Sequence, residues 1–233
     1  MSLSDVPNDV TRSVLYLLDD ESLLTMCSLN ENFNKGICND VFWINKIRSK
    51  FPLTTEDIRK YSVWGGIMNY YFNLQEELSG DVNLMMKDAA KRGRLDLIKI
   101  ALVDPRLDKK LSAAASLNIA AYAGHIDVVK FLLEQGVDVH FGRDLAITRA
   151  ALAGRTEIVR VLLENGANPT SALYAAARNE SEDIVVLLLN YGANWREALD
   201  TARHFDNHKM IEYLERIINF YLPEKDEFED EFE

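Results

Sequence analysis

The stretch AGHIDVVKFLLEQGVDVH, residues 123–140, decides the fold, because the chain repeats it almost at once. A second copy, AGRTEIVRVLLENGANPT, occupies residues 153–170. In both copies branched apolar residues recur at helical spacing, and each helix is only about ten residues long. A helix of that length cannot close a core alone, so we expect the repeated helices to pack against their neighbours.

The repeat extends beyond these two copies. When the chain is aligned on its alanine pairs, one turn position recurs with steps of 31, 30, 26 and 26 residues, at Gly93, Gly124, Gly154, Glu180 and Asp206. Each unit then has a first helix of small residues, a turn and a second helix of branched apolar residues. Glycine closes a helix in the left-handed conformation at the lowest cost. Glu180 and Asp206 therefore predict that the last two units turn differently or with strain.

This pattern resembles that of ankyrin repeats over residues 81–221. The resemblance rests on AAxxGxxxIVxxLLxxGA, best seen at residues 120–137 and 150–167. It implies an all-α solenoid of paired helices with about five repeats. The usual Thr-Pro-Leu-His opening is absent, and steps of 26 residues are shorter than the roughly 33 of an ordinary repeat. We therefore expect the projecting β-hairpin fingers to be reduced to turns in the last two junctions.

Ankyrin repeats have no usual catalytic centre, and the resemblance implies a protein-binding surface made of the first helices and the fingers. Tyr, Trp and Arg anchor interfaces most often, because each combines a large contact area with a polar or charged group. Trp195 and Phe141 could equally fold back on their own repeats. The residues predicted to bind a target protein are Lys91, Arg92, Tyr122, His140, Phe141, Arg143, Leu152, Arg178, Trp195 and His204.

Residues 6–43 differ in character, with closely spaced helix signals and no internal repeat. They open with Val-Pro-Asn-Asp-Val and close with Asp40 to Trp43, a pattern that resembles the F-box, with Val6 in place of the usual leucine. The resemblance implies a three-helix subdomain that docks on a Skp-type adaptor and, through it, on the cullin of a ubiquitin ligase. The implied adaptor-binding residues are Pro7, Val10, Val14, Leu15, Leu18, Leu23, Leu24 and Phe33. A segment this short needs support to stay folded, either from the adaptor or from the rest of the chain.

Between these two parts, Thr54 and Asp57 form a capping pair for a short helix. An apolar stripe follows at helical spacing, and we interpret it as packing rather than as a cofactor site: Trp64, Ile67, Met68, Tyr71 and Leu74. The predicted organisation is an F-box-like subdomain at 1–45, a helical linker at 46–80, ankyrin repeats at 81–221 and an acidic disordered tail at 222–233.

Charge and composition exclude several classes of function. More than half of the net charge of −11 lies in the last twelve residues, which carry one basic and seven acidic side chains. Because the body has no basic stripe, we expect no nucleic-acid partner. The chain has neither an apolar run long enough for a membrane span nor a secretion signal. We therefore expect a cytoplasmic or nuclear protein with no membrane partner, monomeric when free.

The four histidines stand at no spacing typical of a nucleophile relay or of a zinc site. His204 and His208 form an i, i+4 pair, but no third ligand is near them in the sequence. We predict no metal, no cofactor and no enzymatic activity.

Two functions remain open at this point. The first is a substrate receptor, in which the ankyrin surface holds a target protein for a Skp-cullin-F-box ubiquitin ligase. The alternative is an ankyrin scaffold or inhibitor without a ligase role, in which the N-terminal helices are a structural cap. F-box-like segments joined to ankyrin repeats resemble proteins encoded by large DNA viruses, which would imply that a host ligase is redirected in the host cytoplasm.

Overall fold

The computed structural model describes Ser22, residues 39–62 and residues 66–221. Within these ranges the chain forms thirteen α-helices and no β-strand, which confirms the predicted all-α fold. The residues predicted to bind the adaptor, as well as Trp64 and the predicted tail, lie outside the described residues. None of the described helices is both long and apolar enough to span a lipid bilayer.

The chain divides into two compact units, which are described separately. The first comprises residues 1–85 and 99–105, and the second comprises residues 86–98 and 106–233. The described helices that lie wholly in the first unit are α1 (Asp40–Lys50), α2 (Thr55–Tyr61) and α3 (Gly66–Leu78).

Side-chain caps begin the first two helices. The Asn39 side chain accepts a hydrogen bond from the backbone N–H of Phe42, at 3.1 Å, and so satisfies one donor of the first turn of α1. At the start of α2, the Asp57 backbone N–H donates to Thr54 Oγ1 (3.1 Å), and the Thr54 N–H donates to Asp57 Oδ2 (2.9 Å). This reciprocal pair confirms the predicted capping box.

An aromatic cluster forms the core of the first unit. Trp43 in α1 is only 1% exposed, and its ring centroid lies 5.5 Å from that of Tyr71 and 5.7 Å from that of Phe72 in α3. Ile67 and Leu74 are also buried on α3, which confirms that this stripe is packing. Helix α1 runs through the predicted domain boundary at 45/46 without a break. The tryptophan that closes the F-box-like pattern therefore shares a helix with residues assigned to the linker.

A partly buried ion pair adds to this unit. Lys99 Nζ lies 2.8 Å from both carboxylate oxygens of Asp57. Burial by itself would raise the pKa of Asp57, but hydrogen bonds from Lys99 and from the N–H and O–H of Thr54 outweigh it. The pKa of Asp57 is therefore held below its ordinary value of 3.8.

Residues 82–221 form five helix pairs, the first of which is divided between the two units. The first helices are α4 (Val82–Arg92), α6 (Lys109–Ala123), α8 (Phe141–Leu152), α10 (Thr170–Arg178) and α12 (Trp195–His204). The second helices are α5 (Leu95–Val103), α7 (Ile126–Glu134), α9 (Thr156–Glu164), α11 (Glu182–Asn190) and α13 (His208–Tyr221).

Small side chains let successive first helices approach closely. Ala120 and Ala121 of α6, Ala150 and Ala151 of α8, and Ala176 of α10 are completely inaccessible to solvent. From α6 onward, neighbouring first helices contact each other over a longer stretch than neighbouring second helices do. The second unit is therefore a stack in which each pair covers the apolar side of the next, as expected for a repeat solenoid.

The same left-handed turn joins the two helices of every pair. In all five turns a backbone N–H bonds to the carbonyl five residues earlier, as in Arg155 to Ala150 (2.9 Å) and Ser181 to Ala176 (3.1 Å). Glu180 and Asp206 adopt φ values of 53° and 49° in the turn that glycine makes elsewhere. The last two units therefore do not turn differently. They make the same turn with the strain that a Cβ atom brings.

The junctions between repeats are turns throughout the described residues. The last two span only residues 165–169 and 191–194, as expected for shortened repeats. The junctions at 104–108 and 135–140 also contain no hairpin, because five or six residues are too few for two paired strands. Helix α8 instead opens with three left-handed residues, Gly142, Arg143 and Asp144.

Candidate protein-interaction surface

One exposed side chain recurs at the end of each first helix. It stands two positions before the turn residue, and we name the set the first-helix row: Lys91, Tyr122, Leu152, Arg178 and His204. Tyr122 is 52% exposed and Leu152 is 40% exposed, so two large apolar side chains lie in solvent on neighbouring repeats. The five residues were all predicted from the sequence, and the repeat stack brings them into one row.

The backbone beneath the row is held by the following repeat. His125 Nε2 donates to the carbonyl oxygen of Lys91 at 2.9 Å. Arg155 Nε makes the equivalent bond to the carbonyl oxygen of Tyr122, at 3.4 Å. Both donors directly follow the turn residue of their own repeat. The turn of one repeat thus fixes the end of the preceding first helix, where the row residue stands.

Four of the five first helices are together basic, three of the five second helices are together acidic, and α5, α12 and α13 each carry no net charge. Helices α4, α6, α8 and α10 carry eight basic and two acidic side chains, a net charge of +6. Of the two acids, Asp88 pairs with Arg92, and Asp144 is buried. Helices α7, α9 and α11 carry two basic and six acidic side chains, a net charge of −4. Over these seven helices, charge is therefore segregated between the two layers of the stack, although the chain as a whole is acidic.

Asp144 organises the junction between the second and third repeats. Its Oδ1 accepts hydrogen bonds from His140 Nδ1 (2.9 Å) and from the backbone N–H of Asn168 (3.0 Å), which belongs to the next junction. Of the three residues predicted to bind a target here, His140 and Arg143 are exposed and Phe141 is half-buried. Asp144 was not predicted from the sequence, because its contact with His140 depends on the left-handed backbone of residues 142–144.

The last two repeats add an aromatic group. Phe205 is 66% exposed and packs edge-on against His204 at 5.2 Å between ring centroids, with Tyr174 at 6.4 Å. Trp195 is half-buried, and the guanidinium of Arg196 lies 4.5 Å from its ring centroid. Trp195 is thus partly covered by its own repeat, but it keeps an accessible edge.

Two exposed residues on this face were not predicted. Phe205 directly precedes the left-handed Asp206, and Arg149 stands one helical turn before Leu152. The i, i+3 spacing of Arg149 and Leu152 places both on one face of α8 and could have identified the arginine from the sequence.

An open cleft of about 500 Å³ lies beside Arg178, between the last two repeats. Both signs of charge line it, from Arg178, Lys209 and Arg216 and from Glu180, Glu182 and Glu212. Burial raises the pKa of Tyr213 in this cleft, and the charge of Glu182 raises it further, so the phenol stays neutral. A cleft with balanced charges does not select for one sign of ligand.

The histidine pair does not form a ligand set. His204 ends α12 and His208 begins α13, with a turn between them, so the two side chains do not share a helical face. Within the part of the chain that the structure describes, no group of three His, Cys, Asp or Glu side chains could hold a metal ion.

Comparison with known families identifies the repeats. A family model for three copies of the ankyrin repeat matches residues 86–172, and a model for a single ankyrin repeat matches residues 170–201. The protein named ankyrin repeat domain-containing protein 29, from Homo sapiens, is 43% identical to this chain over 58 residues, which is 24% of this chain. The match spans only 19% of that relative's length.

Both family matches lie outside residues 6–43, so the F-box resemblance stays a prediction. Ankyrin repeats are typically interaction scaffolds rather than enzymes. The matches, the paired helices and the common turn agree over the same residues. Residues 86–201 of this chain are therefore ankyrin repeats, which indicates a protein–protein interaction module.

Proposed function

We propose that this protein is a substrate receptor of a ubiquitin ligase of the Skp-cullin-F-box type. In this proposal the first-helix row and the adjoining junctions bind a target protein, and residues 6–43 bind a Skp-type adaptor. The exposure of Tyr122 and Leu152 on neighbouring repeats is the observation that carries the target-binding half. Large amphipathic and apolar side chains on a rigid support are typical anchors of an interface, because little conformational entropy is lost when they are covered.

The adaptor-binding half is supported by the order of residues 6–43 and by the position of Trp43. This residue closes the F-box-like pattern and lies within α1, whose side chains pack against α3. A helix that is fixed at one end of the pattern would hold a bound adaptor at a defined direction from the first unit. Because the adaptor-binding and target-binding parts belong to one chain, a bound target would have a raised effective concentration near the site of ubiquitin transfer.

A scaffold or inhibitor without a ligase role is the second candidate. One observation favours it, since Phe42 and Trp43 are almost completely buried in the core of the first unit. Part of the F-box-like pattern is thus used for the chain's own packing. Under this reading, Val10, Leu15 and Leu18 would also be covered by the chain itself.

Binding to a purified Skp-type adaptor tests the two candidates. We expect the full chain to form a complex with the adaptor that elutes as one peak in size-exclusion chromatography. Leu18→Asp should abolish this complex and leave the helical circular dichroism unchanged, whereas Leu152→Asp on the row should leave it intact. If the full chain binds no adaptor, the receptor function is wrong. In that case, a target protein whose binding is lost on Leu152→Asp would identify a scaffold.

A further inference from the structure

We propose that the first-helix row binds an acidic segment of the target protein that carries one apolar or aromatic anchor side chain. This inference rests on the target-binding half of the proposed function, and it is independent of the adaptor. It follows from the charge of the first helices, the arrangement of apolar groups in the row and the opposite charge of the second helices.

The basic side chains near the row are available to a partner. Arg149 and Arg178 are exposed, and among the described residues no carboxylate forms an ion pair with either of them. Lys91 at the start of the row is exposed as well. The acids of the same helices are already engaged, because Asp88 pairs with Arg92 and Asp144 is held by His140 and Asn168. Positive charge therefore prevails on the first helices α4 to α10, and at its far end Arg178 also borders the cleft of mixed charge.

The apolar part of the row lies between these cations. Tyr122 and Leu152 occupy the second and third positions, with Lys91 before them and Arg178 after them. Arg149 stands one turn below Leu152 on the same helical face. A complementary segment has an apolar side chain over Tyr122 and Leu152 and carboxylates on both sides of it. A basic segment would meet repulsion at both ends.

The second helices α7, α9 and α11 carry a net negative charge, so the two layers of the stack attract ligands of opposite sign. Their exposed acids include Asp127, Glu157 and Asp183. An acidic segment is therefore repelled from the second-helix layer and attracted to the first-helix layer. Exposed charges of this kind act mainly on the association rate and on the salt dependence, because the Debye length is about 8 Å at physiological ionic strength.

Fluorescence anisotropy with a short labelled peptide tests this inference on the full chain. The probe consists of Glu and Asp with one central Phe, and two control peptides replace either the Phe with Gly or the acids with Lys. We expect the acidic Phe peptide to bind with an affinity that falls steeply as salt is added. Both control peptides should bind at least about tenfold more weakly.

Two double variants with the same change of charge locate the binding site. Arg149→Glu combined with Arg178→Glu should weaken binding by about tenfold or more, because attraction becomes repulsion on the first helices. Lys130→Glu combined with Arg160→Glu makes the same change on the second helices and should alter the affinity by less than about twofold. Leu152→Ala should weaken the binding of the Phe peptide more than that of the Gly peptide, because only the Phe peptide has the anchor side chain.

Several outcomes would overturn the inference. Equal binding of the Lys peptide, or equal losses from the two double variants, would show that the charge of the first helices does not select the partner. Tighter binding after removal of residues 222–233 would identify the chain's own acidic segment as the occupant, in place of a separate protein. A target protein could bind in a way that requires Tyr122 and Leu152 but is unaffected when the charges of Arg149 and Arg178 are reversed. That result would support the proposed function and show that the partner segment is not acidic.

Discussion

The imidazole of His125 is joined to the carbonyl oxygen of Lys91 across the boundary between two repeats, with 2.9 Å between Nε2 and the oxygen. A carbonyl oxygen only accepts hydrogen bonds, so Nε2 carries the proton. Arg155 contacts Tyr122 in the same way at the next boundary. The residue that follows each of these turns therefore links the stability of the stack to the geometry of the exposed row.

Removal of this link should destabilise the stack. We expect His125→Ala to lower the free energy of unfolding by about 1–2 kcal/mol, from one lost hydrogen bond and the lost contact of the ring with the preceding turn. Urea denaturation followed by circular dichroism measures the change. His208→Ala, at an exposed position at the start of α13, is the matched control and should have a much smaller effect. Equal effects of the two variants would show that the cross-repeat bond contributes nothing.

Gly93 should tolerate a side chain less well than other glycines with the same backbone conformation. A Cβ atom at Gly93 (φ +71°) would lie 2.5 Å from His125 Nδ1, whereas one at Gly136 (φ +77°) would meet no atom within 4 Å. Both Gly→Ala changes cost about 1–2 kcal/mol of left-handed strain. Gly93→Ala should cost clearly more, because the imidazole must also move.

The His125→Ala background separates the two contributions. There the costs of Gly93→Ala and Gly136→Ala should become similar, because the ring is no longer present. If the two costs in unfolding free energy still differ in this background, the contact with His125 is not the cause of the difference.

The sequence predicted the repeat architecture because its signals are local and periodic. The alanine pairs, the turn positions and the branched apolar residues recur with the helix pairs, so the places of α6 to α12 could be derived without coordinates. The row followed from the same alignment, since each of its members stands at one fixed distance from a turn. The bond from Asp144 to Asn168 could not be derived, because it depends on how two junctions lie beside each other.

The turns at Glu180 and Asp206 illustrate how packing overrides local preference. Residue type alone left open whether these turns change shape or carry strain. Neighbouring first helices bury their alanines completely, as at Ala150 and Ala176, and a different turn would move one helix off the next. The stack therefore keeps the turn and accepts the strain, as expected when tertiary contacts outweigh a local cost.

Relief of that strain should stabilise the last repeat. Left-handed backbone costs a residue with a Cβ atom about 1–2 kcal/mol, and the extra freedom of glycine in the unfolded chain costs about 0.5–1 kcal/mol. The balance predicts that Asp206→Gly raises the free energy of unfolding by about 0.5–1 kcal/mol. Asp206→Ala retains the Cβ atom and should give no gain. A gain of equal size from both variants would mean that the aspartate side chain, and not the backbone, is the source of the cost.

The acid sensitivity of the first unit should depend on Asp57. Its pKa is lower in the folded chain than its ordinary value of 3.8, so its ionised form stabilises the fold. This contribution is complete above pH 3.8 and is lost as the pH falls through the lower pKa of the folded state. The difference in unfolding free energy between the native chain and Asp57→Asn should therefore be constant near neutral pH and should shrink below about pH 4. Urea titrations at a series of pH values measure it. Lys99→Met leaves the bonds to Thr54 in place but removes the cation, so the pKa of Asp57 in the folded chain should rise and the pH-dependent part of its contribution should become smaller. A difference that does not change with pH would show that Asp57 acts only as a helix cap and not through its charge.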